Sequence, residues 1–504
     1  MILNEGQLLA RDKTVQYAIN DSPFNYFLLQ GVAGSGKTTT VAEIIDMILY
    51  LKPGIRIAMT APTHTAVKIL KSASKFKEEV TFATIHSLCS FKQNINYVTG
   101  KVTYVRDESR SAKIERMSII VVDEASMLDS YMFKTIEYFR DRNNLKVIFV
   151  GDVEQLEPIG EVMSKVFMPE NQIKSKIGKC ALTEVVRQAK DNPIIAYATA
   201  IRLDQKFMGR GIKYLPIEVE PVMEKLKKYF VTEEFANDSN YAKVLAYRNI
   251  TVNRFNAIIR ELVYDSKNLP KILEKDCLIA DKPIIKFNPL IDKWQMIMST
   301  NEDMRVVDMI DDNHLIQVSY MVHGAYPYEV TPENKLLLES QMYSISGTDK
   351  LKLAAWNEID PLTIYIYEWK KYTETFRVYN VVVEHIVDDE PVEDVINILH
   401  ESDQAKFDKI QNSIKDAALN QKTTSIRGKL WIQYYALENH FAWVKYNYAL
   451  TVHKSQGSTY QNVIVHEWDI DTQKDAKKRK KLRYVAATRA SQRLYICKQI
   501  NNDR

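Results

Sequence analysis

The octapeptide Gly31-Val32-Ala33-Gly34-Ser35-Gly36-Lys37-Thr38 limits what this chain can fold into more than any other stretch. The apolar run Phe27-Leu28-Leu29 precedes it, and Thr39-Thr40-Val41-Ala42-Glu43-Ile44-Ile45 follows with apolar residues at helical spacing. A GxxxxGKT segment between a strand and a helix is the sequence of a phosphate loop. Its glycines let backbone N–H groups converge on phosphate oxygens, and the helix N-terminus adds positive potential. In such a loop Lys37 reaches the β- and γ-phosphates and Thr38 ligates Mg²⁺. The expected ATP-binding residues are therefore Gly31, Val32, Ala33, Gly34, Ser35, Gly36, Lys37, Thr38 and Thr39, in an α/β fold that hydrolyses a nucleoside triphosphate.

With 504 residues the chain is too long for one core and suggests about three domains. Its 46% hydrophobic and 26% charged residues are those of an ordinary globular protein. Neither a signal peptide nor a membrane-spanning apolar run is evident, so a cytoplasmic setting without a membrane partner is expected. Cys89, Cys180, Cys277 and Cys497 lack CxxC or Cys/His spacing, which argues against a zinc site or a disulfide framework. A net charge of +4 permits a polyanionic partner without requiring one.

Further segments place polar groups just beyond apolar strands, where open parallel sheets gather their ligand contacts. Ile119-Ile120-Val121-Val122 delivers Asp123-Glu124, with Asp123 suited to Mg²⁺ and Glu124 to deprotonating the attacking water. Val147-Ile148-Phe149-Val150 leads to Gly151-Asp152-Val153-Glu154-Gln155, whose Gln155 amide could report on the γ-phosphate. Gln7 carries the donor and acceptor needed to read the N6/N7 edge of adenine. Pro62-Thr63-His64 and Thr84-Ile85-His86 offer hydroxyls and imidazoles suited to strand phosphates, or caps for the helices that follow. Tyr97 to Val105 alternates around Gly100 and reads as a β-hairpin. Thr363 to Trp369 and Phe376 to Val383 suggest a second hairpin in a β-rich module, and residues 391–440 read as helical. Near the C-terminus lie Thr451-Val452-His453-Lys454, the charged run Lys474 to Lys481, read as a solvated loop, and Tyr484 to Ala490.

Taken in order, these segments resemble the motifs of superfamily 1 helicases, within them the RecD-like and Dda-like branch. The segments that carry the resemblance are Gln7, Gly31 to Thr38, Ala61 to Val67, Thr84 to Leu88, Asp123-Glu124, Gly151 to Gln155, Leu182 to Gln188, Leu450 to Ser458 and Tyr484 to Ala490. The resemblance implies two RecA-like domains with parallel sheets, at 1–200 and at 201–295 with 441–504. It also implies a hairpin insertion at 91–116 acting as a strand-separating pin, and an SH3-like β module with a helical part at 296–440. Arg187 and Arg489 would be arginine fingers on the γ-phosphate, acting with Lys37, Thr38, Asp123, Glu124 and Gln155. Pro62, Thr63, His64, Thr84, His86, Thr451, His453 and Lys454 would line the single-strand track.

The implied activity is ATP- and Mg²⁺-dependent 5′ to 3′ translocation on single-stranded DNA with duplex separation, in phage-type replication or recombination. A phage-encoded chain would act in host cytoplasm as a monomer, with duplex junctions as substrate and single-strand-binding protein as a candidate partner. The alternatives are a nucleic-acid-stimulated ATPase that remodels protein–DNA complexes, an accessory subunit of a recombination nuclease complex, and an RNA helicase. The short stretch ahead of Gln7 argues against a separate N-terminal docking domain of the nuclease-subunit kind.

Overall fold

The computed structural model describes residues 3–169, 175–184, 192–207, 209, 211–216, 219–288, 292–331, 333–340, 362–387 and 390–498. From the N-terminus, α1 (Glu5–Ile19), β1 (Tyr26–Gly31), α2 (Lys37–Leu51), β2 (Ile57–Ala61), α3 (His64–Ala73) and β3 (Val80–Thr84) lead to a hairpin. The hairpin is β4 (Phe91–Ile95) with β5 (Val102–Arg106), and β6 (Ile119–Val122), α4 (Ser130–Asn143), β7 (Lys146–Gly151) and β8 (Ile177–Leu182) follow. Outside the hairpin these strands form one parallel sheet in the order β3-β2-β6-β7-β1-β8. The apolar runs are uninterrupted because both faces are covered. Leu29, Val121 and Ile148 pack with residues of α1, α2 and α3, while Leu28, Ile120 and Phe149 pack with residues of α4.

The chain then forms α5 (Pro193–Arg202), β9 (Lys213–Pro216), α6 (Val219–Phe230), β10 (Ala242–Ala246) and α7 (Asn249–Tyr264). An antiparallel module interrupts this second unit. It comprises β11 (Cys277–Ala280), β12 (Ile284–Asn288), β13 (Lys293–Met298), β14 (Asp303–Val330), α8 (Lys335–Ser340), β15 (Leu362–Val387) and β16 (Glu390–Leu399). Helices α9 (Glu401–Asn420) and α10 (Thr424–Glu438) and strand β17 (Val444–Tyr446) complete it. β18 (Ala449–Thr451), β19 (Tyr460–His466), α11 (Ala476–Thr488) and β20 (Ala490–Lys498) then return to a second parallel sheet, ordered β18-β10-β19-β20-β9.

Several sequence expectations change. Tyr97 to Gly100 is the turn of the first hairpin and not its first strand, which is Phe91–Ile95. Asn96 fixes that turn by accepting the N–H groups of Val98 and Thr99. The segments at 363–369 and 376–383 do not pair with each other. Both belong to β15, which pairs with β14 from Arg305↔Glu384 to Val330↔Leu362. The polar residues Lys370 to Thr375 between them contain no Gly, Pro or Asn to turn the chain. A strand of 28 residues such as β14 extends roughly 90 Å at ~3.3 Å per residue. Residues 391–399 are strand rather than helix, and the third sheet starts at Cys277, ahead of residue 296. The run Lys474 to Lys481 leads into α11 and is not a loop, because the Asp475 side chain caps the helix through the N–H groups of Lys477 and Lys478.

The module joins the second unit through a buried ion pair. Arg260 on α7 reaches both Asp276 oxygens at 2.7 and 2.8 Å, and Asp276 also accepts from the Leu273 N–H and the Tyr448 hydroxyl. Asp276 is fully buried and Arg260 nearly so. Arg260→Met removes one partner and leaves a charge without compensation, so thermal or urea unfolding should show a loss of about 3–5 kcal/mol.

Candidate nucleotide cleft and nucleic-acid track

The phosphate loop closes β1 and opens α2. Lys37 Nζ donates to the carbonyls of Gly31 and Val32 at 2.8 and 3.2 Å. A Cβ at Gly31 would lie 2.4 Å from Ser35 Oγ and 2.9 Å from Lys37 Cγ, so only hydrogen fits beneath the lysine stem. Gln7 completes a capping box with Asn4 at the start of α1, and its amide nitrogen donates to the Ser35 carbonyl at 3.3 Å. That contact brings α1 against the loop and places Gln7 in the wall of the cleft.

β6 carries Asp123 and Glu124 to the same edge. Burial pushes both carboxyls up, the Glu124 shift being enlarged by Asp123 and opposed by Arg489 and Lys37. Glu124 sits at φ 49°, in the left-handed region, a conformation that costs about 1–3 kcal/mol and gathers at functional sites. Gln155, at the turn after β7, is buried and accepts from the Gln456 amide at 3.2 Å.

The second unit supplies the opposite wall. Arg489 caps α11 and donates to the Val485 and Ser458 carbonyls and the Thr488 hydroxyl. The Tyr484 hydroxyl accepts from the Ala33 N–H at 2.9 Å and donates to Asp152 at 2.7 Å. These groups line one cleft of about 660 Å³ that also includes Gln7, Lys37, Thr38, Asp123, Glu124, Gln155 and Arg202. Of the expected ATP-site residues only Arg187 lies outside the described residues. Gln456 and Tyr484 lie in segments legible from sequence but carry no sequence signal for these roles, and Arg202 lies outside every such segment. Spacing within a motif does not tell which partner a side chain meets across 300 positions.

The track candidates divide. Thr63 and Thr84 cap helical turns, accepting from the Ala66 and Ser87 N–H groups, and Thr451 accepts from the Lys454 N–H. The helix-capping alternative therefore describes what the Thr63 and Thr84 oxygens do here. His64 and His453 are exposed and Pro62 half-buried. His86 packs edge-on against Phe91 and Tyr104 at the base of the first hairpin, and Lys454 pairs with Asp281 at 3.2 Å.

One turn beyond His64, Lys68 ties α3 to the inserted module. It contacts Glu302 at 2.5 Å and the Ile386 carbonyl at 2.6 Å, and His385 lies between Glu302 and Asp394.

The profile of the AAA domain matches residues 3–213, and that of the UvrD-like helicase C-terminal domain matches residues 446–497. The two flank the inserted module. The T4 phage protein named ATP-dependent DNA helicase dda is 26% identical over 61% of this chain and 67% of its own. By these matches the chain is similar to the Dda- and RecD-like superfamily 1 helicases. Uncharacterized protein R530 of Acanthamoeba polyphaga mimivirus is 27% identical over 98% of this helicase and 99% of its own length. A Pif1 helicase from Candida albicans superposes with TM-score 0.48 at 13% identity, covering 99% of this chain and 94% of that one.

Two tests follow from this geometry. In this helicase Glu124→Gln should retain ATP binding while turnover falls about 10²–10⁴-fold, and undiminished turnover would remove Glu124 from the role of base. The second concerns pH. Glu302 and Asp394 hold the His385 imidazole above its ordinary 6.5 against the effect of burial. Burial raises the Glu302 carboxyl, but hydrogen bonds from His385 and Lys68 outweigh it and hold the group at about 2, below its ordinary 4.5. The imidazolium contribution is full below pH 6.5 and disappears as pH rises through the raised value, whereas the carboxylate contribution is full above 4.5 and disappears toward pH 2. His385→Gln should therefore remove the alkaline part of the pH dependence of the melting temperature and shrink the acid part, of which the Lys68 contact keeps a share.

Proposed function

We propose that this chain is an ATP-driven DNA helicase that moves 5′ to 3′ on single-stranded DNA and separates duplex with the β4–β5 hairpin. The donor set fits MgATP. Among the described residues Ser35 Oγ, buried in the phosphate loop, has no hydrogen-bond partner, and it lies beside a lysine and two half-buried carboxyls. Thr38 and Asp123 would hold Mg²⁺, which when bound neutralises charge on the phosphates. Lys37 and the loop amides would bind phosphate oxygens. Glu124 accepts a proton from water, Gln155 donates through its amide nitrogen, and Arg489 presents a planar cation to charge that develops in the cleft. Because Arg489 belongs to the second α/β unit and Lys37 to the first, the set is complete only when the two units are closed on each other. Alternation of closure and opening is what moves His64 and His86 relative to His453 and Lys454 along a strand. Pro62, Thr63, Thr84 and Thr451 shape that track.

The observation that favours strand separation over translocation alone is the anchored hairpin tip. Trp431 Nε1 donates to the Tyr97 carbonyl at 3.0 Å and the Tyr435 hydroxyl to the Gly100 carbonyl at 2.6 Å. Gly428, Trp431 and Tyr435 recur at i, i+3 and i+7, so all three lie on one face of α10. A Cβ at Gly428 would lie 2.9 Å from the Tyr97 ring, and one at Gly100 would lie 2.3 Å from the Trp431 ring, so both glycines are needed for this approach. A β-hairpin alone is marginally stable. Fixed at its tip, it can hold its position against a duplex pushed onto it.

Strand displacement with ATP and Mg²⁺ on duplexes bearing a 5′ or a 3′ tail tests polarity, and unwinding only from the 3′ tail would overturn the stated direction. Trp431→Ala should lower unwinding at least about tenfold, equivalent to ~1.4 kcal/mol, while single-strand-stimulated ATPase stays near wild type. Parallel loss of both activities would favour a general translocase whose hairpin is not the separating element.

A further inference from the structure

We infer that Tyr484 is a positioning residue for hydrolysis, docking the helix that carries Arg489 onto the phosphate loop and the Gln155 turn. The inference rests on the ATP-hydrolysing reading of the cleft.

Tyr484 is 3% exposed, and its hydroxyl uses both of its capacities across the domain boundary. It accepts from the Ala33 N–H of the phosphate loop and donates to Asp152. Asp152, equally buried, also accepts the Glu154 N–H at 3.0 Å through its other oxygen, and its carbonyl accepts the Gln155 N–H at 3.1 Å. The same carboxylate therefore shapes the turn that holds Gln155 and receives the tyrosine. Burial first, and Asp152 second, raise the Tyr484 phenol, so it remains a donor at neutral pH.

A second contact on α11 supports the docking. Lys481, one turn before Tyr484, reaches Glu157 at 3.1 Å on the segment that follows Gln155. Arg489 lies five residues beyond Tyr484, about 7 Å along a helix axis. Two contacts on one face of α11 thus fix its axial and rotational setting, and with it where the guanidinium enters the cleft. A misplacement of ~1 Å at such a group can cost about 10²-fold in rate. The ring itself packs among Leu482, Val485 and Ile194 in the core beneath the second sheet, so Tyr484→Phe removes the hydroxyl and preserves the packing.

The experiment is steady-state ATPase with saturating single-stranded DNA on the full chain. Tyr484→Phe should lower kcat about 10- to 100-fold with KM for ATP and melting temperature close to wild type. Because Tyr484 acts through Arg489, adding Tyr484→Phe to Arg489→Lys should produce no further loss. Asp152→Ala should reproduce the kcat loss from the other side of the bond, whereas Asp152→Asn, which keeps an acceptor oxygen, should restore most of it. Unchanged kcat in Tyr484→Phe, a change confined to KM, or multiplicative losses in the double variant would overturn the inference. Lys37→Ala, assayed alongside, reports on the ATPase reading itself. Its inactivity with a fully active Tyr484→Phe overturns only the role of Tyr484, whereas hydrolysis surviving Lys37→Ala overturns both.

Discussion

Two adjacent carboxyls, Asp123 and Glu124, stand half-buried side by side at the end of β6, and the rest of the molecule is arranged around that burden. Burying like charges side by side is unfavourable unless cations approach them. One cation, Lys37, comes from the helix that follows the phosphate loop. The other that lowers Glu124, Arg489, comes from the C-terminal end of α11 in the second unit. The charge balance of the cleft therefore depends on closure of two domains, which is the property that a nucleotide-driven motor requires.

The two units meet at the cleft through short-range hydrogen bonds, with the ion pair of Lys481 and Glu157 beside them. Gln456 meets Gln155 and Tyr484 meets Asp152 in buried surroundings, where an unmade bond would cost about 1–3 kcal/mol, and Tyr484 meets Ala33 in a partly buried one. Such contacts have strict geometry and little reach. They favour one closed arrangement and give no attraction at a distance, so opening and closing can be decisive.

A second line of contact runs outside the cleft. Lys68 joins α3 to Glu302 and Ile386, and the tip of the β4–β5 hairpin rests on α10. Both connect the first domain to the module inserted in the second. The module therefore braces the hairpin tip while Lys68 ties the module to α3. Its long antiparallel ribbon gives α9 and α10 a surface to pack on, through Val318, Tyr320, Phe376 and Phe407.

The sequence by itself determined the two parallel sheets and the first-domain half of the cleft. Uninterrupted β-branched strands such as Ile119–Val122 can be buried only on both faces, and the residues at their ends must emerge at one sheet edge. It also indicated where the second unit resumes, because Val463–Val465 and Leu494–Cys497 have the same character. Only tertiary structure decided the pairing of β14 with β15, the seat of the hairpin tip and the partners of Tyr484, Gln456 and Lys68. These contacts join positions as much as 451 residues apart. No local propensity records them: a tyrosine or a lysine has the same helix preference whether it faces solvent or another domain, and only the packed chain determines which group it meets.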